Sequence, residues 1–182
     1  MLEFAFIAPI FFVLLMGTLE IGIMFFGDFV LQNATNDAAR LVRTGQVTGT
    51  LPNQTLTPAE IAAGMVAGQP MTQAQFRTYI CNEIAPVLAC DSNLQIDVDS
   101  FSSFGAASFP SPLKADNTLD PTLNSYSPGA VCNVVLLRTF YTWSVMTPLL
   151  TPFLTNMAGN KHLLTATAAF RNEPFSTGVS GC

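Results

Sequence analysis

The chain has 182 residues, of which 49% are hydrophobic and only 10% are charged. Soluble domains carry about 25% charged residues and disordered chains are poor in apolar ones, so the composition excludes a disordered or highly solvated protein. The net charge of −5, with seven Lys and Arg scattered singly, argues against nucleic-acid binding. Uncharged polar residues dominate instead: Ser, Thr, Asn and Gln total 48 against 19 charged residues, which suits an extracytoplasmic surface.

The apolar excess lies in residues 1–27, which contain 20 apolar side chains and neither Lys nor Arg. The run from Phe4 to Phe26 would span about 34 Å as a helix, close to the thickness of a bilayer core. It lacks the basic n-region and the A-x-A-like cleavage site of a secretory signal peptide. We therefore expect it to cross a membrane and to stay with the mature protein.

Two acids lie beside or inside this segment, Glu3 and Glu20. An ionised carboxylate in hydrocarbon costs at least about 2.5 kcal/mol, so such a residue usually faces a protein partner or water. Glu20 either reaches water near the interface or has a partner. For Glu3 we expect a partner.

The helix is predicted to continue beyond the membrane, because apolar residues recur there at helical spacing. These residues are Leu31, Ala34, Ala38 and Leu41. We expect one helix of about 40 residues, apolar all round in its first half and packed on its own domain in its second half. This divides the chain into a transmembrane and assembly half at 1–27, an amphipathic half at 28–44 and a single domain at 45–182.

The domain reads as helices followed by strands. Thr57 and Thr72 each begin a capping box and predict two helices, the second ending at Pro86. Strands are predicted around Leu94 to Asp99, over 131–141 and over 162–171. Together these elements predict an α+β fold, in which a long pilin-like helix packs on a small, mainly antiparallel sheet with short helices.

Two stretches between the strands have more than one interpretation. Residues 102–130 are irregular and form either a passive surface loop or a binding loop. Residues 146–157 have apolar side chains at helical spacing and form either a helix that covers the sheet or a patch that faces a membrane or another subunit.

The four cysteines, Cys81, Cys90, Cys132 and Cys182, favour disulfides in an extracytoplasmic domain over free thiols or zinc. Three connectivities are possible. We favour Cys81 with Cys90, because Pro86 permits the chain to fold back, and Cys132 with Cys182.

No pattern in the sequence indicates catalysis or a cofactor. His162 is the one histidine, and no G-x-S-x-G, P-loop or G-x-G-x-x-G motif occurs. Asp97 and Asp99 alternate with apolar residues on one strand, which more often indicates a solvated face than paired carboxylates or calcium ligands. We expect a protein without enzymatic activity.

The run LEFAFIAPIFFVLLMGTLEIGIMFF, followed by LQNATNDAARLVRTG, resembles the N-terminal signature of TadE-like proteins. These are minor pilins or pseudopilins of the tight-adherence (Tad, or Flp) pilus. Three later blocks resemble the family in the same order: ICNEIAPVLACDSNLQIDVDSF, VVLLRTFYTWSVMTPLLTPFL and LLTATAAFRNEPF. Glu3 matches the family's Glu by its Glu-Phe-Ala context, although no basic leader with its Gly precedes it in this sequence.

The resemblance implies an assembly component of a Tad type IV pilus, acting in biogenesis and adhesion. It would lie in the bacterial inner membrane with a periplasmic C-terminal domain, or be incorporated in the extracellular fimbrium. The implied partners are TadF-like minor pilins, the Flp major pilin, the pilus platform and the prepilin peptidase. Glu3 would pair with the N-terminal amine of a neighbouring subunit. The alternative is a membrane-tethered adhesin that binds its ligand through loop 102–130.

Overall fold

The computed structural model describes residues 2–51, 53–175 and 181–182. Seven regular elements occur there, with 3₁₀ turns at Phe104–Ala106 and Pro148–Leu150. In chain order they are α1 (Leu2–Arg43), α2 (Pro58–Ala62), α3 (Gln73–Ile84), β1 (Leu94–Phe101), β2 (Val134–Ser144), α4 (Thr151–Leu154) and β3 (Lys161–Arg171). The predicted α+β class, with a long N-terminal helix on a small antiparallel sheet, is confirmed.

Helix α1 is one continuous element of 42 residues. The four apolar residues predicted to face the domain are all buried: Leu31, Ala34, Ala38 and Leu41. The charged side chains Asp37, Arg40 and Arg43 are exposed. The second half of α1 is therefore amphipathic, as its sequence period predicts.

The three strands form an antiparallel sheet in the order β1-β2-β3. Leu94 pairs with Tyr141 across β1 and β2, and Val134 pairs with Arg171 across β2 and β3. The central strand lies three residues later than the predicted 131–141. Its first nine residues are buried, as a strand covered on both faces requires.

Helix α1 packs on the face of the sheet formed by β2 and β3, and α3 packs beside it. Deep in this layer, the hydroxyls of Thr35 on α1 and Thr139 on β2 are 2.5 Å apart. Both residues are fully buried. Because the Thr35 hydroxyl donates to the Leu31 carbonyl at 2.7 Å, it accepts from the Thr139 hydroxyl, and this satisfies both groups in the apolar core.

Both short helices begin as predicted. The Thr57 hydroxyl accepts from the N–H of Glu60, and that of Thr72 accepts from the N–H of Gln75. In each case the Glu or Gln side chain reaches back to the cap residue's N–H, which completes the capping box.

Two disulfides are present, Cys81–Cys90 and Cys132–Cys182, each with a Cα–Cα distance of 5.3 Å. The favoured pairing is therefore confirmed. The second bridge ties the end of the chain to the turn before β2.

The interpretation of Asp97 and Asp99 as a solvated face is wrong for Asp97. Asp97 is 1% exposed, and its carboxylate lies 2.6 Å from the guanidinium of Arg138 on β2. It also accepts hydrogen bonds from the N–H and hydroxyl of Ser125, at 3.0 and 2.9 Å. Burial follows because residues 102–130 fold over this face of the sheet.

Candidate functional site

The first half of α1 extends beyond the domain and leaves its apolar side chains uncovered. Large side chains on every side of this part of the helix are exposed: Phe4, Phe6, Ile7, Ile10, Phe11, Phe12, Leu14, Leu15, Met16, Leu19, Ile23, Phe25 and Phe26. This part of the helix is strongly apolar, and little of it is buried. In the described part of the chain, this is the one helix that is long and apolar enough to cross a membrane.

Of the two acids in this segment, the structure describes the side chain of Glu20 but not that of Glu3. The backbone of Glu3 lies in α1, but its side chain is outside the part of the protein that the structure describes. Glu20 is 4% exposed. Its predicted role in assembly and that of Glu3 stay predictions.

Glu20 finds its partner within the chain. Its carboxylate accepts hydrogen bonds from the backbone N–H groups of Met146 and Thr147, the second at 2.9 Å. These residues belong to the connection between β2 and β3. The carboxylate is therefore satisfied by a loop of its own domain, and the interpretation that it simply reaches water is wrong.

The same connection, residues 145–160, makes a second contact with α1. The side chain of Leu150 lies against Gly17, where an added Cβ would collide with it. A larger residue at position 17 would therefore require the Leu150 side chain to move.

The interpretation of 146–157 as a helix covering the sheet is confirmed only in part: a helical stretch begins at Pro148, and Leu154 and Met157 pack on the core, but the stretch ends at Leu154. Pro148 and Pro152 divide the stretch into a 3₁₀ turn and the single turn α4. Three of its apolar side chains point away from the sheet, with Met146 71%, Leu149 67% and Phe153 83% exposed. The alternative, a patch that faces a membrane or a subunit, agrees with this exposure.

An open groove of about 560 Å³ lies where this patch meets α1. Its walls include Phe12, Met16 and Ile23 from the helix and Met146 from the connection. The groove joins the exposed face of the helix to the exposed patch, so the two form one apolar surface.

Residues 102–130, for which a passive surface loop and a binding loop were both considered, are largely a cover for the sheet. Leu113 and Leu119 pack on Phe140 and Leu163. Residues 125–127 run beside β1, where Val98 bonds to both Ser125 and Ser127. Apolar packing and backbone hydrogen bonds therefore hold the segment against the sheet.

The exposed large apolar side chains of this segment lie near its beginning. Phe104 is 57% exposed and Phe109 64% exposed. The Arg138 guanidinium donates to the Pro110 carbonyl at 2.8 Å, which fixes the chain directly after Phe109.

In the hairpin that follows, hydrogen bonds from Thr118 and Thr122 hold the pKa of Asp116 and of Asp120 below the usual value.

Two tyrosines in the core layer have strongly raised pKa values. Burial raises the pKa of Tyr126, which packs on Phe76 with ring centroids 5.3 Å apart, to about 12. Burial, and then the charge of Glu83, raises the pKa of Tyr79 to about 12. These phenols stay neutral at physiological pH and act as core side chains.

His162 lies at the start of β3, with Nδ1 against the carbonyl of Leu154. Among the residues whose placement is described, no three His, Cys, Asp or Glu side chains come together as metal ligands. The arrangement at His162 fastens α4 to the sheet.

The sequence indicated the apolar segment and Glu20, but it did not indicate Gly17 or the loop N–H groups as Glu20's partners. Arg138 was also missed, although a lone Arg inside an apolar central strand signals a buried ion pair.

The comparison with protein families gives one match, and it coincides with this helix. The model of the family described as TadE-like protein matches residues 1–40. The three later blocks lie outside the match. No curated protein and no solved structure matches the chain significantly. Over residues 1–40 the chain is similar to the TadE-like protein family.

Proposed function

We propose that the protein is a TadE-like minor pilin, a membrane-anchored structural and assembly component of a Tad (Flp) type IV pilus. It is held in the bacterial inner membrane by Phe4 to Phe26, with the domain of residues 45–182 in the periplasm or, after assembly, in the filament. It acts by recognition and not by catalytic turnover.

One observation carries the proposal. The 40 residues that match the family form a helix whose second half packs on the domain while its first half leaves its large apolar side chains exposed. Exposed apolar area on this scale needs lipid or other helices. A helix with this division suits a subunit that waits in a bilayer and then packs against neighbouring helices.

Glu3 supplies the specificity in this proposal. An ion pair between its carboxylate and the N-terminal amine of a neighbouring subunit neutralises two charges that are costly in an apolar bundle. Because the pair is satisfied in one axial position only, it fixes the register between subunits. TadF-like pilins and the Flp major pilin are the proposed neighbours, with the pilus platform and prepilin peptidase as assembly partners.

The test is piliation of a Glu3→Ala variant in cells that assemble the pilus. We expect loss of pili, with the variant still stable and in the membrane fraction. Thr18→Ala is the matched control, because the Thr18 hydroxyl bonds only to the Leu14 and Leu15 carbonyls of its own helix. Normal piliation with Glu3→Ala contradicts the proposed role of Glu3.

A second candidate function is adhesion through the start of segment 102–130, favoured by the exposed rings of Phe104 and Phe109. Deleting the segment would strip the sheet of its cover, so point substitutions are the appropriate test. Under this function, Phe104→Ser with Phe109→Ser spares pilus assembly and removes adhesion. Equal loss of both properties indicates a structural role instead.

A further inference from the structure

The connection between β2 and β3 lies beside a part of α1 that is inside the proposed membrane span. It contacts the helix at Gly17 and Glu20, whereas the span runs to Phe26. On a helix rising 1.5 Å per residue, these contacts lie about 9 to 14 Å before Phe26. The connection and the middle of the span are therefore at the same level.

Ending the membrane at these contacts does not fit the helix. Phe4 to Gly17 would then have to cross the bilayer, but 14 residues give about 21 Å against a hydrocarbon core of about 30 Å. Ile23, Phe25 and Phe26 would also stand in water, although they are 48%, 67% and 54% exposed. The apolar environment must extend past the level of the connection.

The connection has the composition that this environment requires. Residues 145–160 include no Asp, Glu, Lys or Arg. Met146, Leu149 and Phe153 are its exposed large side chains, and they continue the apolar surface of the helix across the groove. The next charged residue is Lys161, which is paired with Ser144 at the end of the sheet.

Backbone polar groups must also be satisfied in hydrocarbon, where non-helical chain is tolerated only with internal partners. The N–H groups of Met146 and Thr147 bond to the Glu20 carboxylate. The N–H of Leu150 bonds to the Thr147 carbonyl, and that of Thr155 to the Thr151 carbonyl. The Glu20 carboxylate and the N–H groups of Met146 and Thr147 thus satisfy each other.

The residues that pack on α1 beyond Glu20 are of the kinds found at a membrane–water interface. Trp143 and Leu88 pack against Gly27 of α1, and Asp28 is the first charged residue of the helix after Glu20. Trp and Lys are typical of membrane interfaces, where an apolar body meets polar headgroups. Along α1, the contacts with the connection therefore come first, the contact with Trp143 follows, and the charged second half of the helix comes last.

The geometry points to a second membrane contact: residues 146–154, here called the dipping loop, insert into the hydrocarbon of the leaflet on the domain's side. The occupant of the apolar surface is lipid acyl chain. Two attachment points, α1 and the dipping loop, prevent the domain from rotating about the helix and fix its orientation relative to the membrane. This inference rests on the proposed function, in which α1 spans a membrane.

The test uses tryptophan as a depth probe in the full chain reconstituted into phosphatidylcholine vesicles, with or without bromine on the acyl chains. Trp143, the one tryptophan, is first replaced by Phe. Single probes are then placed by Leu149→Trp and Phe153→Trp in the dipping loop. Phe11→Trp reports on the anchor, and Phe104→Trp, beside Arg171 at the far end of β3, reports on water.

We expect brominated lipid to remove most of the emission of both loop probes and of the anchor probe, with blue-shifted spectra. Aqueous acrylamide should quench only the Phe104→Trp probe. Phe153 is 83% exposed, so the Phe153→Trp variant keeps the test available if Leu149→Trp disturbs packing.

Three outcomes overturn the inference. If acrylamide and not lipid quenches the loop probes, the loop lies in water. If neither quencher reaches them while the anchor probe responds to lipid, a second protein chain covers the surface. If the anchor probe also fails to respond to lipid, the proposed membrane anchor itself is wrong.

Discussion

Glu20, deep in the apolar first half of α1, accepts a 2.9 Å hydrogen bond from the backbone N–H of Thr147, 127 positions later in the chain. Glu20, an acid inside the apolar segment, thus holds the connection between β2 and β3 against that segment. An acid in such a segment usually marks a contact with protein or water. Here the contact is intramolecular, which leaves Glu3 as the acid proposed for contacts between subunits.

Replacing Glu20 should loosen the dipping loop without unfolding the domain. Glu20→Ala leaves the N–H groups of Met146 and Thr147 without acceptors, at a cost of about 1–3 kcal/mol for each buried group. Hydrogen exchange in the reconstituted protein should show these two amides exchanging about 10- to 100-fold faster. Glu20→Gln should have a smaller effect, because its amide oxygen still accepts. Unchanged exchange in Glu20→Ala would show that the carboxylate does not hold the loop.

The buried ion pair should make Asp97 far more sensitive than its neighbour on the same strand. Asp97→Ala leaves the Arg138 guanidinium, 5% exposed, without its carboxylate, and breaking a buried pair costs about 3–5 kcal/mol. Asp99 is half-buried and lies against the same Ser125 hydroxyl, whose single hydrogen serves one carboxylate at a time, so Asp99→Ala should cost about 1 kcal/mol. Urea unfolding measures both changes. Equal losses would contradict the role given to the pair.

The two disulfides should differ in their contribution to stability. The chain-entropy estimate depends on the residues enclosed: with sequence separations of 50 and 9, it gives about 4 and about 2.5 kcal/mol. Replacing Cys132 and Cys182 by Ser should therefore lower the free energy of unfolding more than replacing Cys81 and Cys90. Denaturant unfolding of the two double variants tests the order, and the reverse order would be inconsistent with this account.

Alkaline titration should reveal the buried tyrosines. Burial raises the pKa of Tyr79 and of Tyr126 to about 12, and it also raises that of Tyr141. The folded pKa of these tyrosines exceeds the unfolded value of about 10, so their neutral side chains favour the folded state. This contribution to the free energy of unfolding is complete below pH 10 and is lost as pH rises towards 12. Ultraviolet absorbance should show little phenolate at pH 10 in the folded protein. Tyr126→Phe should reduce the pH dependence of stability, and half-ionised tyrosines at pH 10 with native circular dichroism would refute the burial.

The sequence determines the parts of this fold that depend on local chemistry. The period of Leu31, Ala34 and Ala38 predicts which face of α1 is buried, because that face needs only an apolar partner. Thr57 and Thr72 predict the starts of α2 and α3, since each capping box lies within four residues.

The parts that were not predicted depend on distant contacts. Alternation in β1 suggests that Asp97 faces water, because nothing nearby shows that residues 102–130 cover that side. Likewise, the helical spacing from Met146 to Met157 predicts one helix. The observed helical stretch is shorter and is divided at Pro148 and Pro152, while α1 covers much of the sheet. Glu20 was recognised as an acid that needs a partner, while the identity of that partner depends on the tertiary fold.

We propose that the first half of α1, and not the domain, joins this protein to other pilus subunits. Photo-crosslinking tests it most directly, with a benzophenone amino acid at Phe11 in the apolar helix or at Phe104 on the domain, in cells that assemble pili. We expect adducts with another pilus subunit from the probe at position 11. Adducts from position 104 alone, in normally piliated cells, would contradict it.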